Sequence, residues 1–165
     1  MKIVSLILIF SIWLVTTHPI PAQTNVPSFE IDTLVSNGKK SDQVESMIYF
    51  QESTVKNTNK KSKSIIKEFN YADIKAADYS YAKKPLLSTT GAVVSVVLLG
   101  LFALPFMFMK KKQHWLTLRT ESDYVVLRLD KNNFRQILNE LEIRKVKVTT
   151  VNEDEDSNKK EKKDN

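Results

Sequence analysis

The side chains able to do chemistry are few and scattered. His18 falls inside the expected export signal, so His114 is the one histidine left after export, and it has no second imidazole with which to form a two-histidine metal site or a triad. The carboxylates Asp73, Asp78, Asp123 and Asp130 sit at expected strand ends and turns, where solvated and capping roles are common, and nothing in their spacing pairs them. Cysteine is absent, which removes thiolate ligands, thiol nucleophiles and disulfides. The only glycines are Gly38, Gly91 and Gly100, so no glycine loop can cradle a phosphate. No catalytic residue, cofactor site or metal site can be assigned from these residues, and the chain is not expected to be an enzyme. Two basic groups stand out instead. Lys60, Lys61 and Lys63 lie in a polar stretch between apolar runs. Lys110, Lys111 and Lys112, followed by His114 and Trp115, combine cations with aromatic rings as membrane–water interfaces do.

The elements that must carry these groups are bounded by length. A chain of 165 residues has room for one small domain plus attachments. Its 25 Lys and Arg against 19 Asp and Glu give a net charge of +6, which favours anionic surfaces without naming one. Nucleic acid is not expected as a partner, because no recognition helix or base-stacking motif accompanies the charge. Lys2, an apolar run from Ile3 to Val15 and the exit Thr16 to Ala22 have the order of a secretory signal peptide over residues 1–22, with an uncleaved anchor or a buried helix as the alternative.

Residues 23–45 show no stable period and read as a flexible leader with at most one short strand. Ser46–Gln51, Ile65–Phe69 and Ile74–Tyr81 are short and rich in β-formers, and Lys56–Ser64 reads as the polar loop between the first two. A helix over Tyr71–Tyr81 competes with the third strand, since Ala72, Ala76 and Ala77 suit it. Leu86–Met109 is uncharged, and as a helix its 24 residues would reach about 36 Å, enough to cross a bilayer core of roughly 30 Å. A buried helix, or a pair of core strands using Val93, Val94, Val96 and Val97, is the alternative. His114–Thr120 and Asp123–Leu129 then read as two strands. Phe134, Ile137, Leu138 and Leu141 form an apolar stripe on a helix from about Lys131 to Arg144, with Asp130 as expected N-cap and Arg144 and Lys145 near the negative end of its dipole. Val146, Val148 and Val151 suggest a last strand, and residues 152–165, with no apolar side chain, read as a disordered charged tail.

Lys-Lys-Gln-His-Trp-Leu-Thr-Leu at 111–118 and Asp-Tyr-Val-Val-Leu-Arg-Leu-Asp-Lys-Asn-Asn-Phe-Arg-Gln-Ile-Leu-Asn-Glu-Leu-Glu at 123–142 resemble the C-terminal half of bacterial pleckstrin-homology-like or GRAM-like domain proteins of uncharacterised function. Ile65–Tyr81 resembles the strand pair that precedes an apolar insertion in them, and the likeness covers about half of the chain. It implies an α+β fold: a small antiparallel β-roll or partly open barrel closed by a C-terminal amphipathic helix. In this chain the roll is split into residues 46–85 and 110–151 by a transmembrane-type helix over 86–109. The resemblance also implies that the loop bearing Lys60, Lys61 and Lys63 receives an anionic headgroup, with an ordinary turn as the plain alternative because arginine is missing there.

The expected function is accordingly that of a non-enzymatic, single-pass module of a bacterial cell envelope, reached through the secretory pathway. It would bind an anionic lipid headgroup or a protein partner without a cofactor. The alternative is a structural subunit of a larger membrane complex. A conflict is built into this reading: a single crossing by Leu86–Met109 places the strands before it and after it on opposite sides of the bilayer, where they cannot share one roll.

Overall fold

In a computed structural model of the chain, residues 25–36, 41–89, 92–95 and 111–152 are described. The signal peptide, the tail beyond Asn152 and Lys110 lie outside them. Ten strands, one short 3₁₀ turn and one α-helix are formed by these residues. The strands are β1 (Ser28–Ser36), β2 (Ser41–Phe50), β3 (Thr54–Asn59), β4 (Ile65–Asn70), β5 (Ala76–Ala82), β6 (Leu86–Thr89), β7 (Ala92–Ser95), β8 (Gln113–Arg119), β9 (Tyr124–Leu129) and β10 (Val148–Thr150). The helix is α1 (Phe134–Ile143) and the 3₁₀ turn is Tyr71–Asp73.

Eight of the strands form one sheet in the order β10-β5-β8-β9-β1-β2-β3-β4. Every pairing in it is antiparallel except that of β10 with β5, so the sheet is mixed rather than antiparallel throughout. Among the described residues β6 and β7 pair only with each other, Leu86 opposite Ser95 and Thr89 opposite Ala92.

Side chains alternate across a strand, so the register sorts them onto two faces. One face carries Ile31, Ile48, Phe50, Val55, Phe69, Ala77, Leu116, Leu118, Val125, Leu127 and Leu129. These pack with Ile137 and Leu141 of α1 and with Val146 in the main core. Phe69 of β4 and Ala77 of β5 are six strand spacings apart in the sheet order, about 29 Å if the sheet were flat. A ten-residue helix spans only about 15 Å, so a single core containing both requires the sheet to wrap around α1. The ion pair between Lys67 Nζ of β4 and Asp123 Oδ2, in the turn between β8 and β9, at 2.5 Å is direct evidence of that wrapping. Arg144 fastens the end of α1 to the opposite wall: it donates to the carbonyls of Phe50 and Gln51, pairs with Glu140, and lies 5.5 Å from the Phe50 ring centre.

The other face holds Leu34, Trp115 and Val126, covered by Leu87 of β6, while Leu86 packs on Ala82 and Val151. β6 therefore runs back across the sheet it has just left. Its two ends are tied down by the amide of Leu86, which donates to Ser80 Oγ, and by the carbonyl of Ser88, which accepts from Arg119 Nη2.

This arrangement corrects the expected architecture. Leu86–Thr89 and Ala92–Ser95 are strands, so no 24-residue helix starts at Leu86. Among the described residues no helix is long and apolar enough to cross a membrane. A single crossing is excluded by the pairing itself: β5 is bonded to β8 over seven residues and β1 to β9 over four, so the parts on either side of the apolar run share one sheet. The single-pass membrane location is withdrawn with it. A short uncharged run is ambiguous because a ribbon buried against a sheet and a segment in lipid both exclude charge.

Smaller corrections follow. The expected leader contributes β1 and the start of β2. The polar loop expected over Lys56–Ser64 is β3 as far as Asn59. Tyr71–Tyr81 is not helical beyond its 3₁₀ turn, and its second half is β5. Asn133, not Asp130, precedes α1. Asp130 organises the turn before it, its Oδ1 accepting from the Asn132 amide and its carbonyl from Phe134. At the far end Val146 N–H bonds Leu141 O and Lys145 N–H bonds Glu142 O, with Lys145 at φ 65°, the paired bonding of a Schellman cap.

Candidate functional site

The turn between β3 and β4, with Lys60, Lys61 and Lys63, uses most of its donors internally. Lys60 Nζ is 2.8 Å from Glu30 Oε1, a bond that raises the ammonium's pKa against a smaller desolvation effect. The amides of Lys61 and Ser62 both donate to Asn59 Oδ1, that of Lys60 to Glu45 O and that of Lys63 to Asn59 O. Lys63 has φ 59°, a left-handed geometry set by the turn. The side chains of Lys61 and Lys63 are exposed and do not converge with Lys60 on one cavity.

Convergence occurs elsewhere. At the end of the sheet where β5 finishes, β8 begins and β9 stops, a groove of about 690 Å³ opens toward the middle of β1 and β2. Lys60, Lys111, Lys112 and Lys131 line it, coming from three separate stretches of chain. Glu30 and Asp32 in the same lining are matched by Lys60 and by Arg128, whose guanidinium binds the Asp32 carboxylate through two nitrogens. Beyond these pairs the lining adds Lys111, Lys112 and Lys131 against Glu45 and Asp130.

Tyr81 and His114 form the aromatic part of the wall, beside Ile31 and Leu129. The two are cross-strand neighbours with ring centres 4.7 Å apart. The imidazole is stacked on Phe134 of α1 at 4.0 Å, and Tyr79 Oη lies 2.7 Å from His114 Nδ1. Partial burial lowers the His114 pKa, with Asp130 opposing it, so the ring is neutral near pH 7 and its Nδ1 can accept the Tyr79 hydroxyl hydrogen. Burial likewise raises the pKa of Tyr79, favouring the donor form.

Of the residues expected at a membrane interface, Lys111 and Lys112 are exposed on the groove rim and His114 is half-buried in its wall. Trp115 is fully buried beneath β6, its Nε1–H donating to Ala82 O at 3.1 Å, so it reaches no surface. Adjacent residues of a strand point to opposite faces, which is why His114 and Trp115 part company. Lys131, Tyr81 and Arg128 were missed as site residues, since only the β5–β8–β9 register brings them to Lys111.

The carboxylates are dispersed. Asp73 accepts from Asn70, Asp123 pairs with Lys67, and Asp78 is buried on the ribbon side with Arg119 Nη2 2.8 Å away. Desolvation raises the Asp78 pKa, partly offset by Arg119 and by a backbone hydrogen bond from Ser88. Among the described residues no group of three His, Asp or Glu could hold a metal ion. No protein family and no curated protein sequence matches the chain.

Proposed function

We propose that the protein is a non-enzymatic, pleckstrin-homology-like binding module whose groove takes the phosphate of an anionic lipid headgroup. One observation carries this reading: lysines 60, 111, 112 and 131, from three separate segments, meet around a single groove walled by exposed Tyr81 and half-buried His114. The two β-meanders joined through β1 and β9, with α1 packed against the wrapped face, also support it, because they leave one end of the strands open beside the helix. The site differs from the loop that the family resemblance implies. Its cations belong to the β8 entry and the turn after β9, with Lys60 contributing from the rim.

Titration of the full chain with glycerol 3-phosphate, followed through backbone amide shifts, tests the reading. Shifts centred on Lys111–His114 and Lys131 are expected, and Lys131→Ala should weaken binding about tenfold, the worth of one charge-assisted hydrogen bond. Shifts confined to Lys61–Ser64, or none, would refute it.

A further inference from the structure

The same end of the fold has a second property that the groove does not use. Ser95 pairs with Leu86, Leu86 packs on Ala82, and Ala82 pairs with Gln113. The last residue of β7 and the first of β8 therefore lie at one end of the sheet. Of the sequence between them, residues 96–109 are uncharged and almost wholly apolar, and three lysines follow at 110–112. β7 pairs with β6, and Leu86 of β6 packs on Ala82 of the large sheet that contains β8, so both ends of this run lie on one side of any bilayer; the run is also far short of the roughly 40 residues that two crossings need.

Around this end the exposed side chains include Tyr81, at 53% exposure, with Lys83 and Lys84 after β5 and Lys111 and Lys112 before β8. The charge is one-sided along the chain: from Tyr79 to Arg119 there is no Asp or Glu. The nearby acids belong to β1, β2 and the turn after β9, and Glu30 and Asp32 are already paired. A tyrosine among lysines, next to an apolar run, has the composition of the water-facing boundary of a bilayer.

We infer that this end of the sheet, through Tyr81, Lys83, Lys84, Lys111 and Lys112, seats on an anionic lipid surface without crossing it. Both sequence halves of the fold then remain on one side. The surface goes beyond the headgroup groove, since Lys83 and Lys84 do not line the groove. The two can therefore fail separately.

The test is flotation of the full chain with vesicles of phosphatidylcholine alone and with phosphatidylglycerol added. Flotation is expected only with the anionic lipid. Lys83→Ala with Lys84→Ala should lower partitioning about 25-fold, at about 5-fold per cation, and leave the glycerol 3-phosphate titration unchanged. Lys131→Ala should weaken the glycerol 3-phosphate titration and lower flotation by less than the paired lysine change does. Equal flotation with both vesicle types, no flotation with either, or flotation insensitive to the paired lysine change, overturns the inference. The chain has no cysteine, so Ser64→Cys and Ser122→Cys report sidedness: an impermeant thiol reagent on intact cells should label both or neither. Labelling of one alone would also overturn it.

Discussion

The helix α1 and the β6–β7 ribbon each cover one face of the same sheet, and the polar groups trapped on the two faces differ in kind. On the helix side the buried polar side chains are neutral. Asn57 Nδ2 donates to Thr33 Oγ1 at 2.5 Å, and Thr33 Oγ1 and Ser46 Oγ are 2.6 Å apart, linking β3, β1 and β2. On the ribbon side neutral Ser80 and Thr117 are joined by an ionic group: Asp78, with a side chain 1% exposed, faces Arg119, which also holds the Ser88 carbonyl of β6. Three neutral groups can bond one another within the register of three strands. A ribbon that pairs with no strand of the large sheet needs attachments of another kind, and a guanidinium with several donors can bind a carboxylate and a carbonyl together.

The sharpest way to break the contrast is Arg119→Ala. It strands a buried carboxylate and releases the Ser88 carbonyl, which should cost about 3 kcal/mol, the lower end for breaking a buried pair because the arginine is part-exposed. Denaturant unfolding measures it. A loss below about 1 kcal/mol, the range of surface pairs, would mean that the ribbon is held by Leu87 and Trp115 packing alone. Next in size is Thr33→Val, which keeps the shape but deprives Asn57 Nδ2 of its acceptor and Ser46 of a partner, at about 2 kcal/mol. Asn57 Oδ1 is buried with no partner in the described structure, so this face has little spare hydrogen bonding to absorb the change. A neutral result would show that water or a repositioned amide replaces the lost bond.

The same two faces explain what could be read from the residues alone. The segment His114–Arg144 is legible because β8, β9 and α1 each keep a simple period: the apolar stripe of Phe134, Ile137, Leu138 and Leu141 indicates a helix whatever surrounds it. β1 hides its period because both its faces are buried, Ile31 and Thr33 toward the helix and Leu34 toward the ribbon. β3 hides because five of its six residues, all but Val55, are Lys, Asn or Thr, and the burial of Asn57 depends on partners in β1 and β2. The site was half legible. Lys111, Lys112 and His114 declared a basic, aromatic surface, but Lys60 and Lys131 meet them only through pairings between distant strands, which no local pattern encodes.

The smallest effect separates the faces by pH. Asp78 has its folded-state pKa raised above the ordinary 3.8, mainly by desolvation. For an acid shifted upward the native state holds its proton to higher pH than the unfolded chain does. Its contribution is therefore fully present below 3.8 and is lost as pH rises through the folded value. Asp78→Asn removes that titration. The stability of the natural protein minus that of the variant should grow as the pH is lowered through this window, and Thr33→Val, acting on neutral groups, should show no such slope. Thermal unfolding of both variants across acidic pH makes the comparison. A flat difference for Asp78→Asn would mean that Arg119 and the Ser88 amide compensate the buried carboxylate fully, and the ribbon's ionic clamp would then be as indifferent to pH as the hydroxyl chain on the opposite face.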